Sequence, residues 1–350
     1  MATLNGTGGG HLKFFGTGHA TTQQARSIPP NFDFGAMPLL VAGSLSIQAY
    51  DTDANGRAGV LDGGVFISTS GGLQKRTSAG ANVPVSGLDV AEGGTLTLTP
   101  NAATPGQMSL NLPTDVRVNG ILQGSQGAVS IGGRNIATGS SAQVLSGDGS
   151  PITFTAAAGA WLAGTVDLRS ASGNVGKNGG VLVVTASAPI VLSASVTNQG
   201  GSASMGAGGF GGVVVLTASE GDVFVDGAID VSGGSGPAGS GSAVVIEGIA
   251  NGGLFVGAPS LSAHGGACTS SAKAGSAGTF IASSGWKDIE IIGTVINFAG
   301  GAGNSTCDGG SSGTIASAHR RTARFERRGD PGLWGRGCGR AVDAQRDGFD

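Results

Sequence analysis

In the stretch DVFVDGAIDV (222–231), Val223, Val225, Ile229 and Val231 alternate with Phe224, Asp230 and their neighbours. Side chains two residues apart share one face of a strand, so this is the strand period. A helical reading fails, because no apolar stripe at helical spacing runs ten residues without a glycine. The same grammar recurs. VLVVTASAPIVLSASVTNQGG (181–201), VVVLTASEGDVFVDGAIDVSGG (213–234), AVVIEGIANGGLFVGAPSLSAHGG (243–266) and GTFIASSGWKDIEIIGTVINFAGG (278–301) line up by eye. Each reads as a β-branched strand, a short corner, a second alternating strand, a turn at glycine and a third short strand. Their closing Gly-Gly pairs end at 201, 234, 266 and 301, giving spacings of 33, 32 and 35. A fainter unit, ITFTAAAGAWLAGTVDLRSASG (152–173), precedes them.

A unit of this size cannot bury its own apolar face, but stacked copies can, each strand bonding to its counterpart in the next coil. The pattern therefore predicts an all-β fold, a parallel β-helix (β-solenoid) with coils of about 30 residues, right-handed by the general crossover rule. Aligned from the Gly-Gly end, Val166, Val196, Ile229, Leu261 and Ile296 fall in one apolar column, and Asp167, Thr197, Asp230, Ser262 and Asn297 in the polar column beside it. One column is expected inside and the other outside. The Gly-Gly pairs are expected to turn tight corners through positive φ. GSLSIQAY, GVFISTS, GTLTLTP, DVRVNGIL and AVSIGG, all between 41 and 150, read as strands of looser coils. The chain thus divides into 1–40, a cap or unassigned segment; 41–150, irregular coils; 151–318, regular coils; and 319–350, an anomalous tail.

Composition supports sheets over disorder. Glycine makes up 69 of 350 residues without a period of three, and charged residues are only 12%. Eleven Lys or Arg face seventeen acids in the first 318 residues, a mildly acidic body that argues against nucleic acid as a partner. No apolar run reaches the roughly 18 residues of a membrane helix. The start, MATLNGTGGGHLKFF, lacks the basic-then-apolar order of a signal peptide. The tail HRRTARFERRGDPGLWGRGCGRAVDAQRDGFD abandons the alternation and carries eight Arg in 32 residues. It reads as a frameshift or an artificial fusion, or else as a basic tail for an anionic surface. Translation of the gene in the other two frames separates these.

Candidate chemistry is sparse. Asp51, Asp53 and Asn55 stand at positions one, three and five of YDTDANGRAGVLDGG, with Gly56 at six, Arg57 at seven and Asp62 at twelve. Alternate oxygens around a glycine turn suit Ca2+, with Arg57 offering only its carbonyl, but the same letters describe an Asx-rich turn. If Ca2+ binds, millimolar calcium raises the melting temperature and Asp51→Ala removes the effect. Cys268 and Cys307 sit in the variable stretches after successive Gly-Gly pairs, so stacked coils make a disulfide plausible and, with it, an oxidising compartment. Their offsets from the pairs differ, two residues against six. GAGGFG (206–211) and GGSSG (309–313) match nucleotide and hydrolase motifs, yet matches arise by chance in so glycine-rich a chain. The histidines, 11, 19, 264 and 319, show no metal spacing. Asp222, Asp226 and Asp288 read either as exposed strand ends or as the lining of a polysaccharide cleft. Thr185 and Thr217 begin a threonine rank that the next coils do not continue.

The repeats at 181–301, with G-G-x-V-x-L-x-A and V-x-V-x-G-x-I-x-V-x-G-G, resemble the passenger or stalk regions of bacterial secreted and surface β-helix proteins. Filamentous-haemagglutinin-like adhesins and autotransporter passengers are the nearest classes. The resemblance is one of architecture, covering a third of the chain strongly and another third loosely. It implies export to the outside or the cell surface and a non-enzymatic structural or adhesive role, with glycans or a host or neighbouring cell surface as partners. The alternatives are a carbohydrate-active enzyme, lyase or hydrolase, built on a β-helix, or a polysaccharide-binding module.

Overall fold

The computed structural model describes residues 3–7, 12–15, 31–48, 57–58, 60–61, 65–68, 73–76, 82–100, 107–125, 127–237, 245–270, 273–285 and 287–319. They form a parallel β-helix. Three sheets, of 9, 10 and 10 strands, run along the stack, and each complete coil gives one strand to each sheet in turn. In one coil the strands are Ile152–Ala156, Ala160–Leu162 and Thr165–Asp167, and Val181–Ala186 then returns to lie parallel beside Ile152–Ala156.

The register confirms the columns read from the sequence. Val166, Val196, Ile229, Leu261 and Ile296 pair in one row, as do Asp167, Thr197, Asp230, Ser262 and Asn297. The first four apolar members are buried, and Ile296, in the last strand of the row, is half-buried. A second inner row runs Leu39, Leu88, Val116, Ile136, Ala160, Ile190, Val223, Leu254 and Ile289, every member buried. One inner row is interrupted where Gly248 stands between Leu216 and Ala282. A cavity of about 10 Å³ opens there, lined by Leu216, Val225, Gly248, Leu254, Val256, Leu261 and Phe280. So small and apolar a space stays dry.

Coil length grows along the chain. Successive partners in the first sheet are Met108, Val129, Ile152, Leu182, Val214, Ile246, Phe280 and Ile315, so the coils take 21, 23, 30, 32, 32, 34 and 35 residues. The added length lies in the connection from the third sheet back to the first. It leaves the body at residues 168, 198, 231, 263 and 298 and returns just before the next strand of the first sheet. The outgoing and returning plies bond to each other, as in Gly201 N–H to Lys177 O, Gly209 N–H to Gly201 O and Gly234 N–H to Gly209 O. Each ply also bonds to its copy in the next coil, as in Gly200 N–H to Ser232 O and Gly233 N–H to His264 O. The result is a two-ply glycine fin along one corner of the rod.

This fin explains the Gly-Gly pairs differently from the sequence reading. Among the described residues, the glycines with positive φ are Gly35, Gly93, Gly127, Gly149, Gly164 and Gly293, and none belongs to a closing pair. The pairs are required by close approach instead. A Cβ on Gly201 would fall on the Ala171 carbonyl, on Gly234 on the Gly201 carbonyl, on Gly266 on the Gly234 carbonyl and on Gly301 on the Gly266 carbonyl. Backbone packs on backbone with no room for a side chain.

Two departures lie near the chain start. Val65–Ser68, expected as a coil strand within GVFISTS, belongs with Arg57–Ala58, Leu73–Arg76 and Asn82–Pro84 to a four-stranded antiparallel sheet. The glycine-containing connections there are too short for a parallel crossover, so the strands turn back as hairpins. The described parts of the segment 1–40, expected as a cap or left unassigned, lie toward both ends of the stack. Thr3–Thr7 pairs in parallel with Thr314–His319, and Leu12–Phe15 with Ile289–Ile292, at the end of the stack opposite the first coil. Residues 31–38 run beside the early coils, tied down by Asp115 and Ser86. The tail from 320 lies outside the described residues.

Candidate functional site

The middle residue of each short strand in the second sheet points outward, because its neighbours point in. Register stacks these residues in the order Leu40, Asp89, Arg117, Ala137, Trp161, Val191, Phe224, Phe255 and Glu290. The central part is an apolar, aromatic column. Phe224 and Phe255 stack with ring centroids 5.1 Å apart and planes 14° from parallel, close to the strand spacing. Two glycines make room for the rings. A Cβ at Gly159 would collide with the Trp161 indole, and one at Gly253 would lie 2.8 Å from the Phe255 ring. Stacking buries Val191 and Phe224 to 7% and 9% exposure, while Trp161 and Phe255 stay half-exposed.

Charges flank this column. On one side Arg117 donates Nε–H and Nη2–H to Asp89 at 2.9 and 2.7 Å and lies over the Phe34 ring, 5.1 Å from its centroid. The Asp89 carboxylate beside it raises the Arg117 pKa above its ordinary value. On the other side Lys287 Nζ reaches both Asp222 oxygens at 2.9 and 2.8 Å, and Asp222 also accepts the Gly253 N–H at 2.8 Å. Asp115, wholly buried, accepts Arg134 Nε–H and Nη2–H at 2.9 and 2.8 Å, Asn135 Nδ2–H at 2.9 Å and the Asp33 N–H at 2.7 Å. Burial alone would push this carboxyl up. The bonds from Arg134, the Asp33 backbone and Asn135 outweigh it and hold the pKa below the ordinary value.

The predicted site residues fall as follows. Cys268 and Cys307 are joined by a disulfide, their Cα atoms 6.6 Å apart, between adjacent plies of the fin. Their unequal offsets are absorbed by a tight turn, in which Asn304 and Cys307 exchange backbone hydrogen bonds of 3.1 and 3.4 Å. Asp51, Asp53, Asn55 and Asp62 lie outside the described residues, and Arg57 begins the first strand of the antiparallel sheet. Asp222 and Asp288 sit two coils apart before the second-sheet strands Val223–Val225 and Ile289–Ile292, and Asp226 follows Val223–Val225. GAGGFG and GGSSG are returning plies of the fin, each leading into a strand. The His264 ring is half-buried there, with Nδ1 3.1 Å from the Gly265 carbonyl. The threonine rank holds for Thr155, Thr185 and Thr217 and then passes to Ile249 and Ser283. Among the described residues no helix is long and apolar enough to cross a membrane.

Sequence reading missed the aromatic column and the Asp115 knot. The column was recoverable. Counted from the polar column, Trp161, Val191 and Phe224 each stand six residues before Asp167, Thr197 and Asp230, and Phe255 seven before Ser262, so the row emerges once one inserted residue is allowed in that coil. The Asp115 knot joins residues 82 apart and left no spacing to read. No protein-family model, curated protein or solved structure matches the chain.

Proposed function

We propose that this chain is a non-enzymatic, elongated scaffold with a structural or adhesive role outside the cell or at its surface. Its contact surface is the outward column of the second sheet, and its partners are extended ligands such as surface glycans. The observation that carries this reading is the stacked row Trp161, Val191, Phe224 and Phe255, an apolar stripe on a rigid parallel sheet with ion pairs beside it. Stacked coils repeat at about 4.8 Å, so a row of side chains meets a repetitive, extended polymer more readily than a compact small molecule. The Cys268–Cys307 pair suits an oxidising compartment.

Glycan-array binding by the wild-type chain, Trp161→Ala and Phe255→Ala tests this. Each substitution removes a half-exposed ring and is expected to weaken glycan binding at least tenfold with the β-sheet circular dichroism unchanged. Equal binding by all three proteins would place the contact elsewhere. The same glycans, incubated with the wild-type chain and assayed for new reducing or unsaturated ends, must stay intact; turnover would replace the scaffold reading with a carbohydrate-active enzyme.

A further inference from the structure

A stack of coils ends in open strand edges, and open edges pair with whatever extended chain can reach them. Thr314–His319 enters the first sheet, and no described residue after 319 supplies the following strand of the second. That place is taken by Leu12–Phe15, with Leu12 opposite Ile289, Phe14 opposite Ile291 and Phe15 opposite Ile292. Thr3–Thr7 then adds to the first sheet beyond Thr314–His319, with Leu4 opposite Ile315. Leu4, Leu12 and Phe14 thus continue the inner rows that contain Phe280, Leu254 and Val256.

We propose that the C-terminal end of the solenoid is a strand-acceptor site for an extended peptide with apolar residues at alternate positions, and that its occupants are the chain's own strands Thr3–Thr7 and Leu12–Phe15. The third sheet supplies an internal comparison. Where the two N-terminal strands cover the end, Ile289, Ile291 and Ile315 are 3%, 2% and 7% exposed. In the third sheet no described strand follows Val295–Asn297, and Ile296 is only half-buried although its predecessors Val196 and Leu261 are buried to 1% and 0%.

Reach favours the chain's own segment over that of a second copy. The next anchor among the described residues is Asp33, bonded to Asp115 just before Val116–Val118, which lies seven strands from Leu12–Phe15 in the second sheet. Seven steps span about 34 Å at the usual strand spacing. The seventeen residues 16–32 can extend to at most roughly 56–61 Å. The span lies within this reach, so the edge meets the tethered segment as an intramolecular partner, ahead of a second copy in dilute solution. Recognition is strand addition, with main-chain bonds giving affinity and alternate side chains selecting the register.

The test uses a synthetic peptide of residues 1–16 as the probe. A variant lacking residues 1–15 is expected to bind this peptide one-to-one in calorimetry, while the full chain, already occupied, binds at least tenfold more weakly. The peptide carrying Leu4→Asp, Leu12→Asp and Phe14→Asp is expected not to bind. Equal binding to both proteins, or equal binding of both peptides, would overturn the proposal. Should the shortened chain fail to fold, hydrogen exchange on the full chain decides. The same three substitutions must raise amide exchange in Thr314–His319 at least tenfold while Val181–Ala186 keeps its protection. Unchanged exchange in Thr314–His319 would refute the acceptor site.

Discussion

Single residues carry more of this fold than its repetitive composition suggests. Asp115 ties the segment 31–38 to the solenoid through the Asp33 N–H and binds Arg134 and Asn135. Its folded pKa is depressed below the ordinary 3.8, so the stabilisation it gives is complete above the unfolded value and is lost as pH falls through the folded one. The melting temperature should therefore fall below about pH 4, with a shallower acid slope in Asp115→Asn than in wild type. At neutral pH Asp115→Ala strands buried donors and should cost about 1–3 kcal/mol, first seen as faster proteolysis near residue 33. Two glycines predict opposite outcomes. Gly234→Ala drives a methyl into the Gly201 carbonyl and should destabilise by about 1–3 kcal/mol or more. Gly248→Ala puts a methyl 3.0 Å from Leu254 Cδ1, beside the cavity that Leu254 lines, so Leu254 yields and stability rises by about 0.5–1 kcal/mol. Denaturant titration of both variants measures the contrast. The sequence revealed that glycine mattered at 234 but not why. A Gly-Gly pair reads alike whether it turns through positive φ or lies flat against another backbone.

At the scale of elements, strands of the regular coils were legible and connections were not. Val181–Ala186 and Val213–Ala218 alternate cleanly, and their pairing follows from the alignment alone. The fin was hidden because its stability comes from backbone hydrogen bonds between plies, which leave no side-chain period to read. The strand Val65–Ser68 shares the apolar content of coil strands, and its antiparallel pairing with the mostly polar Leu73–Arg76 could not be read from it. The Cys268–Cys307 bond links two adjacent fin segments across a separation of 39 residues. In the chain-entropy model a loop of that length contributes about 4 kcal/mol. Reduction, or Cys307→Ser, should lower the melting temperature and raise amide exchange around 263–278 and 298–313, with the coils before Asp167 unaffected. An unchanged melt on reduction would show that the bond constrains nothing.

The whole molecule behaves as a one-dimensional stack in which each coil contacts its neighbours. This is why so much of the architecture could be read from the sequence. A repeat sampled several times averages out local ambiguity, as the two columns beginning at Val166 and Asp167 show. The ends could not be read so, because Leu12–Phe15 pairs with residues 277 positions away, without repetition to betray it. The central claim is the parallel stack itself. Spin labels along one outward row of the first sheet test it most directly. Asn111, Thr155, Thr185, Thr217 and Ser283 share that row, with Gly132 and Ile249 between them. Asn111 and Thr217 stand four strands apart, and Asn111 and Ser283 six. With one strand step of about 4.8 Å, backbone separations of roughly 19 Å and 29 Å are predicted. Double electron–electron resonance on the two labelled pairs should give narrow distributions at those values, allowing for label length. Distances that fail to grow by about 10 Å between the pairs, or a broad distribution for either, would contradict the stack.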